Sequence, residues 1–159
     1  MPSRRAAIQL TDDEVLAFLD DQRTLICATN GRNGWPHLMP LWYVVRDGEL
    51  WAWTFAKSQK VKNLERDPRA TVQIETGETY DQLRGVMFEC DVALHRDLET
   101  VTGVGMELAT RYGGSGGEPG PPSPEMRAAF EAQAAKRVAL HFQEKSRATW
   151  DHRKLAGAY

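Results

Sequence analysis

Alternating apolar and polar residues indicate that most of the chain is β-structure. Runs in which every second residue is apolar predict strands, because successive side chains of a strand point to opposite faces of a sheet. In the clearest run, Val138, Leu140 and Phe142 alternate with less apolar neighbours. Asn-Gly and Asp-Gly pairs, which favour tight turns, separate the early runs. The predicted strands are residues 24–29, 35–45, 49–55, 69–76, 85–95 and 137–150.

Helices are predicted at the start of the chain and between the later strands. Thr11 and Glu14 form a capping-box pair, so a short helix is expected to follow. Further helices are predicted over residues 58–66, 97–112 and 123–135, while the Gly- and Pro-rich residues 113–122 predict a loop, either a lid or an inert connection. This order predicts a mainly β protein, a closed or nearly closed barrel with peripheral helices, in which residues 1–159 form one domain.

Composition and charge narrow the class of protein. The chain has 159 residues, 42% of them hydrophobic and 26% charged, which is typical of a folded domain. A formal net charge of −2 gives no basis for binding nucleic acid or an acidic membrane surface. No apolar run reaches the roughly 20 residues that span a bilayer. Cys27 and Cys90 lie in apolar runs and are expected to be packed thiols, so we expect a cytoplasmic protein.

The segment most informative about chemistry is residues 54–64, which runs from the end of a strand into a helix. Lys57 and Lys60 lie three residues apart, close to the positive end of the helix dipole, where a lysine is unfavourable unless an anion is present. Together with Ser58 and the free amides of the first turn, they predict a phosphate site. Lys62 and Arg66 lie on another side of the helix and are assigned to solvent or to a more distal acidic group. The alternative is a solvated basic face on a surface helix.

The second and third strands carry residues suited to a flat ligand. Pro40 cannot donate to a sheet ladder, so its strand is expected to lie at an edge or to contain a bulge. Trp51, Trp53 and Phe55 share one face of the third strand. These aromatic side chains are either core residues or the lining of a groove or an oligomer interface.

The order of these features resembles a known family. After Gly34-Trp35-Pro36-His37, the run from Lys60 to Ala70, with the pattern Lys-x-x-Asn-Leu-x-x-Asp-Pro-Arg, is similar to the pyridoxamine 5'-phosphate oxidase-like superfamily, and within it to the flavin/deazaflavin oxidoreductases. The resemblance covers residues 10 to 95 and, loosely, the last strand. It implies a six-stranded antiparallel split β-barrel that works as a homodimer with cofactor sites at the interface.

The resemblance also implies a ligand and its contacts. The cofactor would be the deazaflavin coenzyme F-420 or, alternatively, FMN, and Lys60 would bind its phosphate. Met39, Pro40 and Leu41 would lie along the tricyclic ring. The turn around the ribityl phosphate would comprise Thr54, Phe55, Ala56, Lys57 and Ser58. Ser58 stands where relatives often carry arginine.

The resemblance thus implies an oxidoreductase, which we expect to use reduced F-420 to reduce a planar conjugated small molecule. F-420 is favoured because Lys57, Lys62, Arg66 and Arg69 could lead outward along an acidic tail. The predicted substrate contacts are Tyr43, Trp53 and, from the other subunit, Tyr80. An FMN-dependent enzyme and a non-catalytic flavin- or haem-binding protein are the alternatives. No metal site is expected, since the histidines at 37, 95, 141 and 152 lack ligand spacing.

Overall fold

The structure is a computed structural model and describes residues 3–113 and 122–157. Most of the predicted loop 113–122 lies outside the described residues. The helices are α1 (Arg4–Ala7), α2 (Asp12–Asp21), α3 (Gln59–Arg66), α4 (Leu98–Tyr112) and α5 (Pro124–Ala134), with short 3-10 helices at Tyr80–Gln82 and His152–Leu155. The strands are β1 (Thr24–Asn30), β2 (Pro36–Trp42), β3 (Val44–Arg46), β4 (Glu49–Phe55), β5 (Arg69–Thr76), β6 (Arg84–His95) and β7 (Arg137–Asp151).

Local sequence determines where the helices begin. Thr11 and Glu14 form the predicted capping box, because the Glu14 carboxylate accepts from the Thr11 amide at 2.7 Å and the Thr11 hydroxyl accepts from the Glu14 amide at 3.2 Å. Asp97 caps α4 through the amide of Thr100. Ser123 caps α5, whose first residue is a proline. These predicted starts are confirmed.

The strands form a single antiparallel sheet that closes through the chain itself. Its order is β2-β1-β5-β6-β7-β4-β3, so β2 and β3 are the two outermost strands. Only Tyr43 separates the end of β2 from the start of β3. The two edges of the sheet are therefore consecutive parts of one chain, and the curled sheet is a split barrel as predicted.

The predicted strand over residues 35–45 is wrong in its continuity, which is why the sheet has seven strands and not six. It breaks at Tyr43, whose amide donates to the Tyr112 hydroxyl at 3.0 Å and whose carbonyl accepts from the same hydroxyl at 2.8 Å. A side chain thus takes the place of a strand partner at this residue. The break allows β2 to diverge from the β3–β4 pair.

Two apolar clusters hold the barrel and its helices together. The larger one fills the barrel and includes Leu25 and Phe142 from the strands, Phe18 from α2 and Val61 from α3. The smaller one packs α4 against the outer face of β4 and β7. Helix α3 therefore seals one end of the barrel, and this position brings its first turn to the open edge of β4.

Candidate functional site

A gap between β2 and β4 provides the cleft of the candidate site. Among the described residues, strand β2 pairs only with β1, and β4 pairs with β3 only over Glu49–Trp51. Beyond Trp51, one edge of β4 has no strand partner in this part of the chain, although its other edge pairs with β7 up to Phe55. Residues of both strands line one pocket of about 410 Å³: Thr24, Pro40, Leu41, Trp42, Trp53 and Leu108. Open backbone edges on either side leave room for a flat ligand that can bond main-chain groups.

The β2 residues predicted to lie along a tricyclic ring occupy this open edge. Pro40 lies opposite Ile26 of β1, and its missing amide costs no hydrogen bond because β2 has no partner on the other side. The prediction of an edge strand at Pro40 is confirmed. Met39 is 44% exposed despite being apolar, and Leu41 is half-buried. The strand therefore presents apolar side chains and unpaired backbone to the cleft.

Lys60 lies in the first turn of α3, against the inner face of β4. Its side chain is only 7% exposed, and its ammonium donates one hydrogen bond, of 3.1 Å, to the Thr54 hydroxyl. Burial lowers the pKa of Lys60, and the nearby thiol of Cys27 acts weakly in the opposite direction. An ammonium group has three donors, so this buried cation retains unused capacity to bind an anion.

Ser58, two residues before Lys60 in the chain, has an unpaired hydroxyl. It occupies the N-cap position of α3 with extended backbone geometry, yet its hydroxyl makes no capping bond. The hydroxyl oxygen is buried and has no hydrogen-bond partner in the described residues. The first amides of a helix also lack intrahelical acceptors. These donors converge on the turn from β4 to α3, so the residues present fit a phosphate group.

The other predicted residues of this turn have different environments. Thr54 is buried and bonded to Lys60, Ala56 is half-buried, and Phe55 is exposed. Lys57 is also exposed, because it precedes the helix and does not point into the barrel. The spacing argument placed Lys57 and Lys60 together, whereas the structure places Lys57 at the surface and Lys60 in the interior.

A basic groove extends from the first turn of α3. It has a volume of about 690 Å³ and lies between α3 and the β1–β2 turn. Lys62 and Arg66 of α3 meet Arg32 of the turn there, beside the exposed ring of Trp35. Arg66 donates to the carbonyl of Asn30 at 2.5 Å, so its guanidinium is anchored without being neutralised. Three cations in one groove favour an extended anionic ligand.

Arg69 does not belong to this groove, although the sequence suggested it. Its guanidinium makes two hydrogen bonds to the Asp67 carboxylate, at 2.9 and 2.8 Å. The same hydrogen bonds hold the pKa of Asp67 well below its usual range. A neutralised pair attracts a further anion only weakly, so this pairing argues against Arg69 as a contact for an acidic tail, which stays a prediction. Arg32 was missed, since only the fold brings this turn residue to α3.

The predicted substrate contacts separate into three cases. The prediction for Tyr43 is wrong, because its side chain is 0% exposed and its hydroxyl donates to the Leu19 carbonyl at 2.6 Å. Burial accordingly raises the pKa of Tyr43 to about 12. Trp53 does line the cleft pocket. Tyr80 is 62% exposed beside His152, and its predicted contact with a second subunit stays a prediction.

The structure adds an aromatic residue that the sequence analysis did not single out. Trp42 lies in the cleft pocket and stacks on Tyr112, with ring centroids 4.6 Å apart and an angle of 8° between the planes. The Tyr112 hydroxyl is bonded at the Tyr43 strand break. One side chain of α4 thus holds both the strand break and the indole beside it.

Several polar residues elsewhere have structural environments. His141 stacks on Trp51 at 4.1 Å and lies 3.0 Å from the Glu49 carboxylate. Within residues 3–113 and 122–157, no group of three or more His, Cys, Asp or Glu side chains is placed to hold a metal ion. In the same part of the chain, no helix is long and apolar enough to cross a membrane. Burial raises the pKa of both cysteine thiols to about 12.

Comparison with known proteins agrees with this fold. A conserved hypothetical protein from Mycobacterium tuberculosis has a closely similar overall structure, with a TM-score of 0.85. Its sequence is 39% identical, and the match covers 98% of this chain and 93% of that one. An F420 reductase has 19% identity and a TM-score of 0.63, with 83% and 94% covered. The heme storage protein HutZ from Vibrio cholerae has 17% identity and a TM-score of 0.64, with 87% and 92% covered. The last two show a shared fold only.

The sequence itself provides the family assignment. A search of curated proteins gave no significant match. The profile of the pyridoxamine 5'-phosphate oxidase family, however, matches residues 11–141, which include the cleft, the α3 turn and most of the barrel. The chain therefore belongs to the pyridoxamine 5'-phosphate oxidase family and has a split-barrel fold.

Proposed function

We propose that this protein is an oxidoreductase that binds the deazaflavin coenzyme F-420 in the cleft and uses its reduced form to reduce a planar conjugated small molecule. The observation that carries the proposal is the buried Lys60 ammonium, which has one hydrogen bond among the described residues and belongs to the same helix start as the unpaired Ser58 hydroxyl. A cation with so little compensation favours an anionic ligand at this point. The family includes flavin-dependent oxidoreductases, which supports a flavin-type cofactor.

The basic groove supports F-420 over FMN. FMN ends at its phosphate, which the α3 turn can accommodate. F-420 carries an acidic tail beyond its phosphate, and the groove of Arg32, Lys62 and Arg66 provides cations for such a tail. No carboxylate forms an ion pair with these three side chains among the described residues. Their charge is therefore available to a ligand.

The residues of the chain would bind, orient and shield the reacting molecules. When bound, the cofactor would supply the hydride. Met39 to Leu41 would place the ring against the open edge of β2, and Lys60 and Ser58 would fix its phosphate. Trp53 and Trp42 would contact the substrate and exclude water from it. We further propose that Tyr80 of the partner subunit completes the pocket.

The decisive experiment compares cofactors on the purified protein. Equilibrium dissociation constants would be measured for F-420, for a deazaflavin that has the phosphate but no acidic tail, and for FMN. The proposal predicts that Lys62→Ala and Arg66→Ala weaken only the binding of the tailed form. If both variants bind all three ligands as the parent protein does, the groove does not bind the tail and FMN becomes the better candidate.

Turnover distinguishes an enzyme from a binding protein. Oxidation of reduced F-420 would be followed by absorbance with a panel of enones and quinones. We expect the protein to accelerate oxidation with at least one planar acceptor. If a cofactor copurifies with the protein and is never oxidised faster than the free cofactor, the protein is a flavin- or haem-binding protein without turnover.

We also propose a homodimer that forms through the outer face of β1 and β2. Large apolar side chains are exposed there, namely Ile26, Leu38 and Trp42, next to Pro40. A contiguous apolar sheet face on a small protein favours association. Light scattering after gel filtration should give twice the chain mass, and Leu38→Asp should give the monomer. A monomeric parent protein at micromolar concentration would refute this assembly.

A further inference from the structure

Arg137 lies beside the candidate phosphate turn although it is far away in the sequence. It is the first residue of β7 and pairs with Phe55, the last residue of β4. The amide of Ala56 donates to the carbonyl of the preceding residue, Lys136, at 3.0 Å. The start of β7 and the turn from β4 to α3 are therefore fixed against each other by backbone contacts.

The Arg137 side chain differs from comparable arginines of this protein. Four arginines in the described residues are neither fully exposed nor buried: Arg46, Arg84, Arg111 and Arg137. Arg46 and Arg84 form ion pairs with carboxylates, and Arg111 donates to three main-chain carbonyls. The Arg137 guanidinium has no hydrogen bond or ion pair within residues 3–113 and 122–157, and its Nε is buried without an acceptor.

Aromatic packing holds this guanidinium in place. Its central carbon lies 4.4 Å from the ring centroid of Trp53 and 4.2 Å from that of Phe55, which project from the same face of β4. Cation–π contact favours the charged group there without using its N–H donors. Because those donors lie in the guanidinium plane, they remain available to oxygen atoms at its edge.

The charges around the turn have one sign. Lys57 and Lys136 are exposed on either side of it, and Lys60 is buried below. In the described part of the chain, no carboxylate forms an ion pair with these three lysines or with Arg137. Lys60 reaches the turn from the inner face of β4, through Thr54, whereas Arg137 reaches it from the outer face. An anion could thus be bound from both faces of one strand end.

We propose that Arg137 is an anion-binding residue of the candidate site, which contacts an oxygen-bearing anionic group on the outer face of β4 beside Trp53. The group is a cofactor phosphate or a carboxylate on the planar substrate. The proposal rests on the proposed function only for the identity of the bound molecule. If the group is a carboxylate, the protein prefers acidic planar substrates over neutral ones.

Two matched pairs of probes identify the source of the anion. The first pair is FMN and riboflavin, which differ in the phosphate. The second is 2-naphthoate and 2-naphthalenemethanol, which differ in the carboxylate. Binding would be measured by calorimetry and by tryptophan fluorescence for the parent protein, Arg137→Met, Arg137→Lys and the control Arg46→Met. The control removes an arginine that also lies over a tryptophan, 5.0 Å from the Trp51 ring, but is bonded to Glu107.

Arg137→Met should weaken the charged member of one pair about ten- to a hundredfold, the usual range for a hydrogen bond to a charged group. The neutral member should bind as before, because methionine retains the aromatic packing. Arg137→Lys should lose less affinity for that charged probe than Arg137→Met does, since lysine keeps the charge but not the planar donors. Arg46→Met should change neither pair.

Three results would overturn the proposal. In the first, both charged probes bind the variants with unchanged affinity. In the second, the variants lose affinity for the neutral probes as strongly as for the charged ones, which would indicate that Arg137 contributes only packing. Arg137→Met could convert a dimer to a monomer, which would assign Arg137 to the subunit interface. The proposed function fails separately, if Lys60→Met binds F-420 and FMN normally while Arg137→Met still loses one charged probe.

Discussion

Replacement of Lys60 by methionine should stabilise the protein without ligand and weaken its binding of a cofactor. Lysine and methionine side chains have similar length and apolar stems, so the volume that Lys60 fills is largely retained. The ammonium group, which is lost, is 7% exposed and has the Thr54 hydroxyl as its hydrogen-bond partner in the described residues. The two assays should therefore change in opposite directions.

The stability gain follows from the incomplete compensation of this charge. A buried polar group left without its hydrogen bonds costs about 1–3 kcal/mol, and a charged one costs more. One bond to Thr54 offsets part of this cost, so we expect the free energy of unfolding to rise by about 1–2 kcal/mol. For a chain of this length, about 2–4 °C in Tm corresponds to each kcal/mol. The ligand-free variant should melt about 2–8 °C higher.

The binding loss is estimated from charge-assisted hydrogen bonding. A hydrogen bond to a charged group contributes about 1.5–3 kcal/mol, which corresponds to a roughly 10- to 150-fold weaker affinity for F-420 or FMN. Calorimetric titration and thermal melts with and without cofactor measure both effects. Lys62→Met is the control for the ligand-free melts only, since Lys62 is exposed on the same helix and the Tm of this variant without cofactor should not change. A Lys60→Met variant that melts lower and binds the cofactor normally would show that Lys60 has only a structural role.

Three further predictions follow from the pKa of Lys60 and from contacts of α4. Burial lowers the folded pKa of Lys60 below its ordinary value of 10.5. Cofactor affinity should therefore fall as pH rises through the lowered pKa, whereas the stability of the ligand-free protein should rise between that pKa and 10.5. Titrations of binding and of unfolding against pH measure the two effects, and Lys60→Met should remove both. Gly105→Ala should destabilise the protein by about 1–3 kcal/mol, because the new Cβ would lie 2.3 Å from the Trp53 ring. Gly103→Ala on the same helix should stabilise it by up to about 1 kcal/mol, because its Cβ meets only the end of Arg46, at 3.3 Å. Equal effects of the two variants in denaturant unfolding would contradict the packing described for Trp53. Tyr112→Phe removes the hydroxyl that bonds both backbone groups of Tyr43, so the free energy of unfolding should fall by about 1–3 kcal/mol. Hydrogen exchange at the Tyr43 amide should become faster. Unchanged exchange would refute the account of the strand break.

The sequence predicted the elements well because their signals are local. Strands β4 and β5 have the predicted bounds, and the caps at Thr11, Asp97 and Ser123 open the predicted helices. A capping bond or a period-two alternation involves residues within a few positions of each other. Tertiary packing therefore had little opportunity to change these assignments.

Side-chain depth could not be predicted in the same way. Alternation placed Met39 and Tyr43 on one face of a strand, and that face is indeed the inner one. Met39 is 44% exposed, whereas Tyr43 is in the core, because α2 covers the barrel at Tyr43 and its Leu19 carbonyl accepts a hydrogen bond from the Tyr43 hydroxyl. Periodicity reports a face, but whether that face meets solvent depends on a helix elsewhere in the fold.

The cations of the site illustrate the same limit. Lys60 could be proposed from the sequence because it lies in the distinctive run at the start of α3, and its role in binding stays a prediction. Arg32 and Arg137 were missed, since one lies in a turn and the other begins a strand some 70 residues later, and no local pattern links either to α3. Arg69 was assigned to the site from its charge alone, yet its neighbour Asp67 neutralises it. Charge in a sequence indicates a site only when the partners of each charge are known.

A single irregularity in the fold explains why the site lies where it does. If the chain from Pro36 to Arg46 formed one regular strand, it would pair with β4 along its whole length and close the barrel, which would leave no open backbone edge. The break at Tyr43 allows β2 to separate from β4, and the Tyr112 hydroxyl satisfies the backbone groups that the break exposes. A hydrogen-bonding side chain of α4, outside the barrel, thus offsets the free-energy cost of leaving these backbone groups without a strand partner. Because Tyr112 also stacks on Trp42, we expect a change in α4 to alter the width of the cleft and the position of its aromatic wall together.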